Sequence, residues 1–198
     1  MVVFGITGGS GSGKTSVSKM LEKLGVHIID TDVIAHEIVE PNSDCLNELV
    51  DYFGDSILND DKTLNRKKLA SIAFSDKQKT EALSNITHKY IKAEVVKDIN
   101  TTDAELVGID GAVIIGSNVE PLCEFIVSVI ADKQSRITRI KTRDNITDEQ
   151  AIQRINAQND DGFYKENSMY IIYNNGDIAQ LESDVVRLFN KIKGNSFE

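Results

Sequence analysis

The chain has 198 residues, 40% hydrophobic and 27% charged, with a formal net charge of −9. That length suits one α/β domain with insertions, and the acidic balance argues against a general nucleic-acid binder. Cys45 and Cys123 stand alone without metal-ligand spacing, no stretch reaches a membrane span, and segment 2–7 lacks the basic flank and length of a signal peptide. A cytoplasmic protein with no nucleic-acid or membrane partner is expected.

The chain opens on a short β-prone run, Val2–Thr7, and breaks into Gly8-Gly9-Ser10-Gly11-Ser12-Gly13-Lys14-Thr15-Ser16. Val17, Met20, Leu21 and Leu24 then recur at helical spacing. Strand, glycine-rich loop, helix is the setting in which G-x-x-x-x-G-K-[ST] acts as a P-loop, and Gly8, Gly13, Lys14 and Thr15 fit it. The glycines, Gly11 among them, let backbone N–H groups turn inward around phosphates, with Ser12 and Ser16 in the same stretch. The helix directs its positive end at the same anion. Lys14 is expected on the β- and γ-phosphates of ATP and the Thr15 hydroxyl on Mg²⁺.

Gly25 ends the first helix, and Val26–Ile29 reads as a short strand running into Asp30-Thr31-Asp32. From Asp32 to about Thr101 the apolar spacing is helical almost throughout, far more than a βα crossover needs. An inserted helical subdomain over 32–103 is expected, in a core made of 1–31 and 104–198. Strands return at Glu105–Asp110 and Phe125–Ala131, while the character of Ala112–Ile115 stays open. Two helices follow, Lys133–Arg143 and Thr147–Gln158, the second opened by a Thr147/Gln150 capping box. Tyr170–Tyr173 is the last strand and Asp177–Ile192 a closing helix. Five strands separated by helices predict a five-stranded parallel sheet covered on both faces, the P-loop NTPase arrangement.

Asp110 ends an apolar strand, where P-loop proteins place an acid that shapes the Mg²⁺ environment; an ordinary strand-ending aspartate is the alternative. Asp30 and Asp32 follow a strand whose carboxyl end faces the ligand crevice of an open parallel sheet. One carboxylate there can orient an acceptor hydroxyl and take its proton, and a second can bind Mg²⁺ through water. Asp32 capping the next helix is the competing reading. Lys133–Arg143 contains no acid, and Arg136, Arg139 and Arg143 share a helix face. In an acidic chain such a stripe suits a lid, placed at 133–160, that neutralises transferring phosphate and excludes water; a solvated face is the alternative. The GTPase signature Asn-Lys-x-Asp is absent: Asn190-Lys191-Ile192-Lys193 lacks the acid. Small-molecule kinase is the class these residues support. A nucleoside, nucleotide or shikimate-type kinase and a slow nucleotide switch share much of the pattern.

The chain resembles the dephospho-coenzyme A kinase family nearly end to end. The resemblance is carried by GITGGSGSGKTSV, Asp30-Thr31-Asp32 with Ala35-His36, Leu64-Asn65-Arg66, Thr87-His88, Arg139 to Asp144, EQAIQRINAQ over 149–158, and Tyr173-Asn174-Asn175-Gly176. It implies transfer of the ATP γ-phosphoryl group to the ribose 3′-hydroxyl of dephospho-CoA. Asp32 would be the general base, Asp30 its support, and Arg66 and His88 acceptor residues in the helical subdomain. It further implies Arg139 and Arg143 as lid arginines, Asn174 and Asn175 near the ATP base, and a monomer or small homo-oligomer. Three positions depart from the family pattern: Lys89 replaces a proline, with a looser turn expected there; Gly116 replaces a glutamate; Asn42 replaces a glycine.

Overall fold

The computed structural model describes residues 1–195. The chain divides into two compact units, one of Met1–Asp30 with the segment from Thr102 on, the other Thr31–Thr101.

The first unit is built on five parallel strands: β1 (Val2–Thr7), β2 (His27–Asp30), β3 (Leu106–Asp110), β4 (Phe125–Ile130) and β5 (Tyr170–Tyr173), in the order β2-β3-β1-β4-β5. The expected sheet is observed. β1 is its middle strand, and Phe4 and Ile6 are fully buried, so Phe4→Ala would cost about 3–5 kcal/mol. Phe4 pairs in register with Phe125, their rings stacked at 5.3 Å, and Phe125 meets Tyr170 edge-on. Helix α1 (Lys14–Lys23) buries Val17 and Leu21 against this sheet.

The second unit is helical, as the apolar spacing predicts: α2 (Thr31–Glu37), α3 (Asp44–Phe53), α4 (Arg66–Ala73) and the 25-residue α5 (Lys77–Thr101). Local chemistry sets the starts. The Ser43 hydroxyl caps α3 by accepting from Leu46 N–H, and Asn65 caps α4 by accepting from Lys68 N–H. At the hinge of α4 and α5, Thr80 Oγ1 donates to Ala73 O at 2.8 Å. Glu48 of α3 ties down α5 by accepting from both Lys89 Nζ (2.6 Å) and Tyr90 Oη (2.7 Å).

Back in the first unit, α6 (Lys133–Asp144) and α7 (Asp148–Asn156) form the expected hairpin, including the complete Thr147/Gln150 capping box. The chain then makes α8 (Asp161–Glu166), a helix the apolar spacing did not disclose. It is six residues long, contains Gly162 and buries only Tyr164, so it offers no period to read. Its start rests on Asp160, whose carboxylate accepts from Phe163 N–H at 2.9 Å. The final helix, α9 (Ile178–Asn195), buries Leu181, Val185, Leu188 and Ile192 at spacings of four and three. The open segment Ala112–Ile115 is loop and turn, with Ile114 buried and Val113 exposed. Among the described residues no helix is long and apolar enough to cross a membrane.

Candidate active site

Each residue of the phosphate loop is placed by the end of β1 and the start of α1. Gly13, at φ +95°, is the N-cap of α1 and offers no side chain to its first turn, which also holds no acid. First-turn amides have no intrahelical acceptor, so this helix start is fitted to an anion. Ser12 N–H donates to Gly9 O at 3.0 Å, closing a tight turn inside the loop. Ser12 Oγ is buried without a hydrogen-bond partner. A buried hydroxyl of that kind fits a loop whose donors await an anion. Thr15 and Ser16 are exposed in the first turn.

At the carboxyl ends of the strands, Lys14 pairs with Asp110, and both are largely buried. Asp110 stands opposite Asp30 in the parallel register of β2 and β3, where neighbouring strands lie about 4.8 Å apart. Two of the predicted acids and the predicted lysine thus meet at one end of the sheet. Asp110, Asp30 and the Thr15 hydroxyl are hard oxygen donors, the kind Mg²⁺ prefers.

The far wall of the loop comes from late in the sequence. Asn174, 7% exposed, donates from Nδ2 to Ser12 O at 2.8 Å. A side chain on Gly13 would run into that amide, so glycine is required there by contact as well as by φ. Arg139 donates to Gly11 O (3.2 Å), Ser12 O (3.3 Å) and Asn174 O (3.0 Å). Asn175 accepts from Asp132 N–H at 2.8 Å. Asp132 in turn caps α6, and its bonds to Ser135 hold its carboxyl below the ordinary range.

The arginine stripe of α6 separates into three roles. Arg136 is 6% exposed and bonded to Ser10 O at 2.9 Å, so it is an interior residue of the loop's support. Arg139 touches the loop carbonyls. Arg143 is mostly exposed and grips Asp144 with two bonds of 2.7 and 2.9 Å, with Arg154 on the same carboxylate. These bonds, led by that from Arg143, pull Asp144 down to about 2.

In the helical unit, Asp32 is exposed in the first turn of α2. The helix starts at Thr31, so Asp32 lies inside it and is not its cap. Arg66 and His88 come together on a cavity of about 290 Å³ whose other walls include Val39, Leu49, Leu69 and Ile91. A largely apolar pocket with a cation and an imidazole in its lining suits an organic anion.

Gln158 closes the EQAIQRINAQ run, but no role follows for it from the sequence. It follows α7 and its Oε1 accepts from Ser10 N–H at 2.7 Å. The available signal was Gly9, a glycine the P-loop spacing does not require.

The CoaE family profile, described as dephospho-CoA kinase, matches residues 2–180. The chain belongs to the dephospho-CoA kinase family. A dephospho-CoA kinase of Lactobacillus johnsonii is 34% identical over 191 residues, covering 95% of this chain and 96% of the relative. Among solved structures, a dephospho-CoA kinase from Campylobacter jejuni is 26% identical with a TM-score of 0.69, covering 98% of each chain. A Thermus thermophilus protein at 24% identity shares the fold, with a TM-score of 0.83 and coverage of 96% of this chain and 97% of its own.

Within this dephospho-CoA kinase family member, the three departures have local explanations. Lys89 lies inside the continuous α5, so no turn is loosened there, and its amine pairs with Glu48 instead. Asn42 takes φ +69°, the left-handed geometry that asparagine tolerates. Gly116 takes φ +78°, and its N–H donates to Glu120 Oε2 at 2.6 Å.

Proposed function

We propose that the chain transfers the γ-phosphoryl group of ATP to the ribose 3′-hydroxyl of dephospho-CoA, giving CoA and ADP. The observation that carries this reading is the meeting of Lys14, Asp110 and Asp30 beside a phosphate loop, in a chain whose family match spans residues 2–180.

The acceptor oxygen attacks the γ-phosphorus, the bond to the β,γ-bridging oxygen breaks, and ADP departs. Asp32 takes the hydroxyl proton as general base, with Asp30 supporting the acceptor or the metal. Lys14 exchanges Asp110 for the β- and γ-phosphate oxygens and neutralises the charge that builds on them. Thr15 and Asp110 would hold Mg²⁺, which supplies further charge neutralisation when bound. Gly8, Gly11, Ser12, Gly13 and Ser16 complete the phosphate cradle, and Asn174 and Asn175 lie toward the adenine. Segment 133–160 serves as the lid. Arg139 keeps positive charge beside the loop, and Arg143 exchanges the Asp144 carboxylate for a phosphate oxygen. Arg66 and His88, in the helical acceptor-binding insertion, hold anionic groups of dephospho-CoA. A cytoplasmic enzyme acting as a monomer or small homo-oligomer completes the reading.

The test is ADP release with Mg²⁺-ATP against dephospho-CoA, nucleosides, nucleoside monophosphates, shikimate and no acceptor, with products identified by mass. ADP release that depends on dephospho-CoA and yields CoA is expected; stimulation by another acceptor alone would replace the proposed substrate. Asp32→Asn should lower kcat at least ~10²-fold and leave the ATP dissociation constant within about threefold, as removal of a general base does. Unchanged turnover would remove Asp32 from that role.

A further inference from the structure

Ser10 sits at the tip of the phosphate loop, and both of its backbone polar groups are held by side chains from far along the chain. Its N–H donates to Gln158 Oε1 at 2.7 Å, and its carbonyl accepts from Arg136 Nε at 2.9 Å. Arg136 Nη2 also donates to Gln158 Oε1 at 3.2 Å, and its Nη1 faces Asp161 at 3.8 Å. The two side chains and the backbone of Ser10 therefore close a small hydrogen-bonded ring.

Loop composition matches this contact. A side chain on Gly9 would overlap the Arg136 guanidinium. One on Gly11, which lies at φ +77°, would come 2.7 Å from Arg136 O and 3.0 Å from Ile140 Cγ1. The P-loop spacing itself demands neither glycine. Both are accounted for by the close approach of α6 to the loop tip.

Resting on the nucleotide-binding reading above, we infer that Arg136 and Gln158 are positioning residues that hold the loop tip in its phosphate-binding shape before nucleotide arrives. Their effect reaches the phosphates through the Ser10 backbone. A loop shaped in advance surrenders little freedom when ligand binds, so its affinity is higher than that of the same loop left loose. Gln158 acts only as an acceptor in this ring, so a carboxylate can replace it and a thioether cannot.

The experiment is calorimetric titration of the full chain with Mg²⁺-ATP, and separately with tripolyphosphate, in the absence of acceptor. Thermal midpoints and steady-state constants are measured alongside. Gln158→Met should weaken ATP about tenfold and raise its KM similarly, the scale of one lost hydrogen bond to a charged group, with kcat and the acceptor KM nearly unchanged. Gln158→Glu should stay within about threefold of the unaltered protein because both bonds survive. Arg136→Lys should match Gln158→Met; where that variant folds poorly, the half-buried Gln158 decides. ATP affinity within about twofold for Gln158→Met, whatever its thermal midpoint, overturns the inference, as does a Gln158→Glu variant as weak as Gln158→Met. Failure of the unaltered chain to bind ATP would instead strike the nucleotide reading.

Discussion

The two units hold their candidate sites by opposite means. In the sheet unit, the phosphate loop is fixed by polar bonds between residues more than a hundred positions apart: Arg139 to Gly11, Gln158 to Ser10, Asn174 to Ser12. In the helical unit, the cavity beside Arg66 and His88 is framed by apolar side chains, and its helices start on local caps. A loop that must present N–H groups to an anion cannot be shaped by apolar packing, since its polar atoms need directed partners. A pocket for a larger organic molecule can be, because burial is non-directional. The difference teaches where substitutions should be felt: as lost nucleotide affinity or turnover around the loop, and as lost acceptor affinity around the cavity of Arg66 and His88.

The largest effect should come from Lys14→Met. Turnover should fall by at least ~10³-fold, since the amine neutralises charge on the transferring group, measured as ADP release at saturating substrates. A substantial residual rate would break the assignment of phosphate binding to the loop of the sheet unit. Next, Arg66→Ala should raise the KM for dephospho-CoA about tenfold while the ATP KM stays within twofold, as loss of one charge-assisted bond does. A matching rise in both constants would dissolve the contrast between the units.

The smallest effect concerns a tie that is neither buried nor apolar. Asp144 joins Arg143 and Arg154 at the surface of the sheet unit, and its carboxyl is lowered to about 2. A lowered carboxyl contributes stability above its unfolded range, near pH ~3.9, and loses it as pH falls through the folded value. The connection between α6 and α7 should therefore persist to about pH 4 and loosen between there and about pH 2. Carbon-detected titration of Asp144 would show the low midpoint, and Arg143→Ala should move it upward. A midpoint near the ordinary value in the unaltered chain would show that the tie is not formed in solution.

What could be read from the sequence divides along the same line. Strands, the P-loop and the Thr147/Gln150 capping box were legible because each depends on residues within a few positions of one another. The helices after Asp30 were legible from apolar spacing; the insertion was expected over 32–103, and the compact unit observed is Thr31–Thr101. The role of Arg136 was not, because an arginine on a polar helix face looks the same whether it faces water or a loop peptide formed from residues at the other end of the chain. Asn174 was placed near nucleotide by resemblance, yet its bond to Ser12 O has no local signature. Short α8 fell below any periodic signal. Lys89 shows the converse: the resemblance suggests a turn there, the residue lies inside a continuous helix, and its side chain pairs with Glu48, 41 positions away.

The central strand of the sheet is made first, and its two neighbours, β3 and β4, come only after the helical insertion. The last bond closing the phosphate loop waits longer still, for Asn174. On the ribosome, the glycine-rich loop is thus made well before the residues that close it. A nascent chain carries this loop as open backbone until the Asn174 segment has been made, and only then can that bond close it.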